Sequence, residues 1–452
     1  MEYLPWWTED QKKLADEVNE FIDELMPRID EAYWKKEFPF DLVDKIADRG
    51  YFGAGVPEEY GGMGLGATGS GIIVEALGRL GGFGSLLVNT LLAGLHQLIH
   101  FGTEEQRQKW LPKIAKGELA GIAITEPFAG SDVAAMQLKA AGPGEIGAKK
   151  EGESYIVTGK KRYVSGSGIV RRYLVYARTS DKPEDIKKYR HLTAFICEKD
   201  MPGFTVEKIN EFPGVQGGYY NGYLSFDRAE VPAGNRIGAE NEGWRVAMVG
   251  LNYERILGAL HYVGCLRDML KTVLWYTDRR IQFGVTTNSL QANQHKIADI
   301  ITRMRVSRVF SYNVAHLFDS GIESPLDTAI AKLICSKAAF ECTVDAIQVM
   351  GGDGSTKFYP VSRILMLNKI GQIGGGSDEI IKNLIFAQGK REMSGELREF
   401  SRKWHRVTHA ELGVPVIAAA GPNKRSLDEE EDLLKELADD YRVNPGLFML
   451  RE

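Results

Sequence analysis

The hydrophobic period changes twice along this chain, and that pattern limits its fold more than any other feature. Up to about residue 120 the apolar residues recur at helical spacing. Leu14, Val18, Phe21, Ile22 and Leu25 share one face behind a capping box, Thr8-Glu9-Asp10-Gln11. A second helix is predicted over 41–48, stopped by Gly50, and a third runs from a capping box at 103–106 to Lys116, closed by Gly117. From about 121 to 238 come short β-rich runs broken by Gly and Pro: YIVTG, YLVYAR, HLTAFICE, FTVEKI and YLSFDRAEVP. No helices separate them, which suits an antiparallel barrel or sandwich better than βαβ units. After Gly238 long amphipathic patterns return at roughly 241–278, 292–320, 327–350 and 377–389, the signature of a bundle. A tail follows, with GVPVIAAAGP and then an acidic helix predicted behind Ser426 and Glu429, its stripe being Leu433, Leu434, Leu437 and Tyr441.

The predicted fold class is therefore α+β. It comprises an N-terminal helical domain (1–120), a middle antiparallel β domain (121–238), a C-terminal four-helix bundle (239–392) and an extension (393–452). A length of 452 residues leaves room for two or three domains. The net charge of −5 gives no support for a nucleic-acid surface. No uninterrupted apolar run reaches the roughly 18 residues of a membrane span. The start, MEYLPWWTEDQKK, lacks a basic then apolar leader and is acidic where a transit peptide is Arg/Ser-rich, so a cytoplasmic location is expected. Cys197, Cys265, Cys335 and Cys342 are too scattered for a disulfide framework or a CxxC zinc site. His96/His100 and His405/His409 have the i, i+4 spacing that metals use, but neither pair has the Glu of HExxH or an acidic cluster. Structural histidines and no metal site are expected.

Four stretches carry chemistry. ITEPFAGSD (124–132) is a tight polar turn at the junction of the helical and β regions, able to hold a flat polar ring or a carbonyl. KKRYVSGSG (160–168), RIQFG (280–284) with Gln291 following, and QVMGGDG (348–354) come after it. Taken singly, each has an ordinary structural role. Together, in this order and spacing, they resemble the flavin-binding segments of the acyl-CoA dehydrogenase family over residues 6 to about 390, and the α–β–α plan matches. The resemblance implies FAD as cofactor. Ile124, Thr125 and Ser131 would touch the isoalloxazine or the thioester, and Tyr163 and Ser165 would stack on and bond to the ring. Arg280, Phe283, Gln291, Gln348, Gly351 and Gly352 would be lent to the flavin of a neighbouring subunit. Tyr163 departs from the family's common Trp, keeping the stacking face and losing the indole N–H.

The reaction implied is α,β-dehydrogenation of an acyl-CoA thioester, in which a carboxylate removes a proton from Cα while the thioester oxygen is polarised. Such a base works best in an apolar, water-poor pocket that raises its pKa. In many family members it is a Glu in the segment written here as QIGGGSDE (372–379), where this chain has Gly375. A minority, resembling isovaleryl-CoA and long-chain enzymes, carry it on a helix of the C-terminal domain. The matching stretch is GLNYERILG (250–258), with Glu254. Gly250 and Gly258 flank Glu254 one turn away and Leu251 and Leu257 at three residues, so it has no charge partner along its own helix and faces a slot. By resemblance Asn252 and Arg255 would help hold CoA, although Asn252 replaces the usual Asp. Ser377 and Glu379 would face the flavin at a helix start. Gly374 and Gly375 would leave the floor of the acyl pocket open, and Gly376 would border the substrate.

Room beside Cα and Cβ suggests a branched or cyclic acyl group, with a long chain as the other possibility. The wall SLLVNTLLAGLHQL (85–98) is almost wholly apolar and has no carboxylate, which argues against dienoyl-forming chemistry and against a dicarboxylate substrate. The leading expectation is an FAD-dependent acyl-CoA dehydrogenase, a homotetramer passing electrons to an electron-transferring flavoprotein. The alternatives are a flavoprotein that binds CoA esters without dehydrogenating them, and a flavin-dependent monooxygenase or reductase on the same fold.

Overall fold

The computed structural model describes residues 3–141 and 154–397. It divides into two units after Asp378. The predicted acidic helix with Ser426 and Glu429, and the pair His405/His409, lie outside the described residues.

In the first unit six helices come first: α1 (Glu9–Lys35), α2 (Phe40–Asp48), α3 (Gly66–Gly78), α4 (Gly81–Leu92), α5 (Leu95–Phe101) and α6 (Glu104–Ala115). Both predicted capping boxes are formed, at Thr8 and Thr103. The stretch Gly81–Phe101 is, by length and composition, long and apolar enough to cross a membrane. It is split here at Gly94, whose φ of 86° separates α4 from α5, and 72% of its most apolar window is buried within the protein.

Eight strands follow: β1 (Ala120–Ala123), β2 (Lys139–Ala141), β3 (Ser154–Ser165), β4 (Arg172–Arg178), β5 (Leu192–Glu198), β6 (Phe204–Ile209), β7 (Asn221–Pro232) and β8 (Arg236–Ile237). A short helix, α7 (Pro183–Lys187), links β4 to β5. The sheet order is β6-β7-β3-β2-β4-β5-β8, with β1 on β4. Most pairs are antiparallel, as expected, but β1 and β2 both run parallel to β4. Parallel neighbours are joined by long crossovers rather than tight turns, so no local turn residue announces them.

Next come α8 (Gly243–Thr277), the hairpin β9 (Ile281–Gln282) and β10 (Val285–Thr286), α9 (Gln291–Asp319) and α10 (Pro325–Met350). Short helices α11 (Pro360–Arg363) and α12 (Leu365–Gly371) complete this unit, and α13 (Asp378–Glu392) starts at its last residue. Helices α8, α9 and α10 share a core of Leu266, Val273, Ile300, Met304, Ala339, Cys342 and Ala346. Cys335 and Cys342 are buried free thiols on α10. Glu75 of α3 is fully buried against this group. Arg267 of α8 meets it at 2.5 Å, Arg308 of α9 at 3.1 Å and the Tyr312 hydroxyl at 2.7 Å. Burial opposes its ionisation, yet the two guanidinium groups outweigh burial and hold the carboxyl below its usual range. One acid thus ties three helices together, and removing it would take away the carboxylate that Arg267 and Arg308 share.

Candidate active site

The loop 124–132 is fixed to β3 by a buried ion pair. Lys161 Nζ reaches Glu126 Oε1 at 2.7 Å and also donates to the carbonyl of Ile124 at 2.9 Å. Glu126 accepts in turn from the backbone N–H groups of Gln137 and Leu138. Burial pulls the Lys161 ammonium down to about 8, against the opposing pull of Glu126. A second tie runs from the Arg162 N–H to the Thr125 carbonyl at 2.8 Å. Sequence reading quoted both stretches and missed the pair, because 35 residues separate its members.

Strand β3 slips register against β7 between Lys161 and Val164, and Tyr163 falls in that bulge with φ 57°. A non-glycine residue in this left-handed region costs about 1–2 kcal/mol, so the bulge re-aims a side chain at a price the surrounding strands sustain. The Tyr163 ring is 50% exposed, with the Arg162 guanidinium 4.9 Å from its centroid. Nearby, Ser165 Oγ lies 3.2 Å from the hydroxyl of the half-buried Tyr219. The Thr125 and Ser131 hydroxyls make no hydrogen bond among the described residues, and Ser131 is exposed. An open aromatic face, two uncommitted hydroxyls and an anchored polar loop fit a flat polar ring of the flavin kind.

A second cleft lies elsewhere in the chain. Arg280, Phe283, Gly351 and Gly352 line it with Tyr276 and Asp353, whose side chains share a 2.6 Å hydrogen bond. Phe283 has φ 55° and is 92% exposed. Gln291 and Gln348 are exposed on α9 and α10 and are not among the lining residues. No residue of the 124–132 loop or of β3 lines this cleft.

Glu254 is half-buried on α8. Burial raises its carboxyl to about 7, against a lowering by the Gln97 hydrogen bond and the charge of Arg255. Gln97 Nε2 donates to Glu254 Oε1 at 3.4 Å. The predicted slot is real on one side and filled on the other. Nothing lies within 4 Å of a Cβ built on Gly258, whereas Gly250 makes room for Gln97. Gln97 belongs to the stretch taken as an apolar wall, so that wall does carry a polar group.

Arg255 is lowered to about 10 by burial, and its Nε donates to the Gly375 carbonyl at 3.2 Å. Lys332 of α10 donates to the next carbonyl, Gly376, at 2.7 Å, and meets Asp378 at 3.6 Å. The glycine run is thus a turn held by two cations. Gly375 fits the reading of added room, since a Cβ there meets nothing within 4 Å, and it also needs φ 66°; Gly376 needs φ 103°. A Cβ on Gly374 would make ordinary contact with the Ile370 carbonyl. The Asp378 N–H donates to the Gln372 carbonyl at 3.0 Å. Asn252 is half-buried on α8, Ser377 is half-buried beside Asp378, and Glu379 is the first residue of the second unit. His96 stacks on Tyr253 at 3.6 Å, and burial lowers it to about 3, which suits a packing histidine.

Comparison with known proteins places this geometry in a family. Three models match in series: the acyl-CoA dehydrogenase N-terminal domain over residues 8–118, the middle domain over 121–229 and the C-terminal domain over 241–389. The chain is 34% identical to an acyl-CoA dehydrogenase of Bacillus subtilis (strain 168) over 382 residues, covering 84% of this chain and 97% of that one. It is also 34% identical to the mitochondrial isovaleryl-CoA dehydrogenase of Pongo abelii over 384 residues, covering 84% and 88%. Among solved structures, the FAD complex of PigA superposes with a TM-score of 0.78 at 27% identity, covering 87% of this chain and 99% of that one. The chain belongs to the acyl-CoA dehydrogenase family of FAD-dependent oxidoreductases.

Proposed function

We propose that this protein dehydrogenates a branched or cyclic acyl-CoA thioester between Cα and Cβ, with Glu254 as the base. The observation that carries the reading is the half-buried carboxylate of Glu254, raised to about 7 beside the open space at Gly258. A carboxyl poised there accepts a weakly acidic C–H proton far better than a solvated one. The C–H bond at Cα breaks and its proton passes to a Glu254 oxygen. Bound FAD supplies the acceptor for the hydride that leaves Cβ. Thr125, Ser131, Tyr163 and Ser165 hold and orient the ring, and the exclusion of water around α8 keeps the base's pKa high. Asn252 and Arg255 lie along the same helix, where CoA would pass. The open space at Gly375 and Gly258 supports a substituent beside the reacting carbons, and the isovaleryl relative acts on an ester of that kind.

The cleft of Arg280, Phe283, Gly351 and Gly352 shares no lining residue with the loop of Thr125. That separation supports a homotetramer in which each chain completes a neighbour's flavin site, Gln291 and Gln348 included. Electrons then pass to an electron-transferring flavoprotein.

The test is anaerobic addition of isovaleryl-CoA, an alicyclic carbonyl-CoA and a long-chain acyl-CoA to the oxidised holoenzyme. Bleaching of the flavin band by a branched or cyclic ester, lost in Glu254→Gln while ester binding persists, is the expected result. A flavin that stays oxidised with every ester sinks the reading.

A further inference from the structure

A side chain at position 250 would displace the Gln97 amide from its place in this fold. A Cβ on Gly250 would stand 1.6 Å from Gln97 Nε2 and 2.3 Å from its Cδ. The amide is 1% exposed and crosses from α5 to α8 one turn before Glu254. Burying it costs side-chain freedom and desolvation, which hydrogen bonding must offset. Its Nε2 reaches Glu254 Oε1 at 3.4 Å. Its Oε1, and the Tyr176 hydroxyl of β4, are buried with no hydrogen-bond partner among the described residues. The titratable or charged groups that act on the Glu254 carboxyl are Tyr176 from β4 and Arg255 from its own helix, while α5 presents the neutral Gln97. Glu254 Oε2 makes no hydrogen bond among the described residues.

We propose that Gln97 is a positioning residue for the base: by holding Oε1 it leaves Oε2 as the oxygen that takes the Cα proton. The inference rests on the reading of Glu254 given above. An amide suits the task because its N–H donates to the carboxylate before the transfer. Once Oε2–H has formed, the same N–H donates to the Oε1 carbonyl. A cation in its place would favour only the ionised state, and an aliphatic group would let the carboxylate turn. Gly250 is the other half of the device, since a Cβ there would push the amide aside.

The experiment follows flavin bleaching by isovaleryl-CoA in the anaerobic holoenzyme between about pH 6 and 9, where a raised carboxyl titrates. Gln97→Met keeps the volume and removes the donor. Its pH midpoint should move up by about one unit and its rate below the midpoint should fall about tenfold, with KM changed little. Gly250→Ala, which expels the amide without altering it, should move the midpoint the same way. Added to Gln97→Ala, it should move it no further. Infrared titration without turnover gives a second readout, in which the acid carbonyl band abolished by Glu254→Gln shows the same displacement. An unmoved midpoint in folded Gln97→Met, with bleaching retained, overturns the role of Gln97 alone. A wild-type flavin that no ester bleaches overturns the assignment of the base and this inference together.

Discussion

Arg255 Nε donates to the Gly375 carbonyl at 3.2 Å, joining the helix that carries Glu254 to the turn where many family members carry their carboxylate. The site left empty of acid is therefore bound mechanically to the site that has one. Arg255 also lowers the Glu254 carboxyl by its charge. Arg255→Met should lift the pH midpoint of flavin bleaching by a few tenths of a unit to one unit, the span of a partly screened charge. Stopped-flow bleaching across pH measures it, and a midpoint that falls would contradict the electrostatic sign.

Glu254 itself should cost the protein stability. Its folded pKa, about 7, lies above the ordinary carboxylate value. The native state thus holds a proton that the unfolded state releases, and stability declines as pH rises through that window up to about 7. Glu254→Gln should therefore stabilise the fold at pH 8, by on the order of 1–3 kcal/mol, and by much less at pH 5. Calorimetry at the two pH values decides it.

Glu75→Gln should have the opposite sign. The change removes the charge that Arg267 and Arg308 share with Glu75, a cost of about 3–5 kcal/mol. Because the folded carboxyl is held below its usual range, the stabilisation is full above that range and is lost as pH falls through the folded pKa. Denaturant midpoints of wild type and variant should converge in acid.

Gly375→Ala should cost about 1–2 kcal/mol through backbone strain alone, since φ is 66° and the added methyl meets nothing. Gly250→Ala should cost more, because there a methyl meets an amide. Thermal melts of the two variants rank them.

Phe283→Ala should lower the flavin content of the purified protein while leaving the melting of the apoprotein within about 0.5 kcal/mol, as expected for an exposed side chain. Flavin-to-protein absorbance and an apoprotein melt read the two effects separately.

The period changes made most elements legible: two capping boxes, the strand runs and the long helices are local features, and each stands where its pattern is. What escaped was set by partners distant in the chain. Lys161 meets Glu126, Gln97 meets Glu254, and β1 lies parallel on β4, none of which a local window contains. Tyr163 was singled out for its ring, while its left-handed backbone arises from a register slip between two strands. The glycine run gave a part of its meaning to sequence reading. That Gly375 and Gly376 serve as carbonyls for Arg255 and Lys332 needed three helices in place.

Lys161 has a consequence for inheritance. One ammonium holds both the Ile124 carbonyl and the Glu126 carboxylate from within the strand that bears Tyr163. The turn and the strand are then a single heritable part, although 35 residues of chain lie between the paired charges. A descendant that alters Glu126 inherits a stranded cation two residues from the exposed Tyr163 ring, so related sequences should change 126 and 161 in concert or keep both.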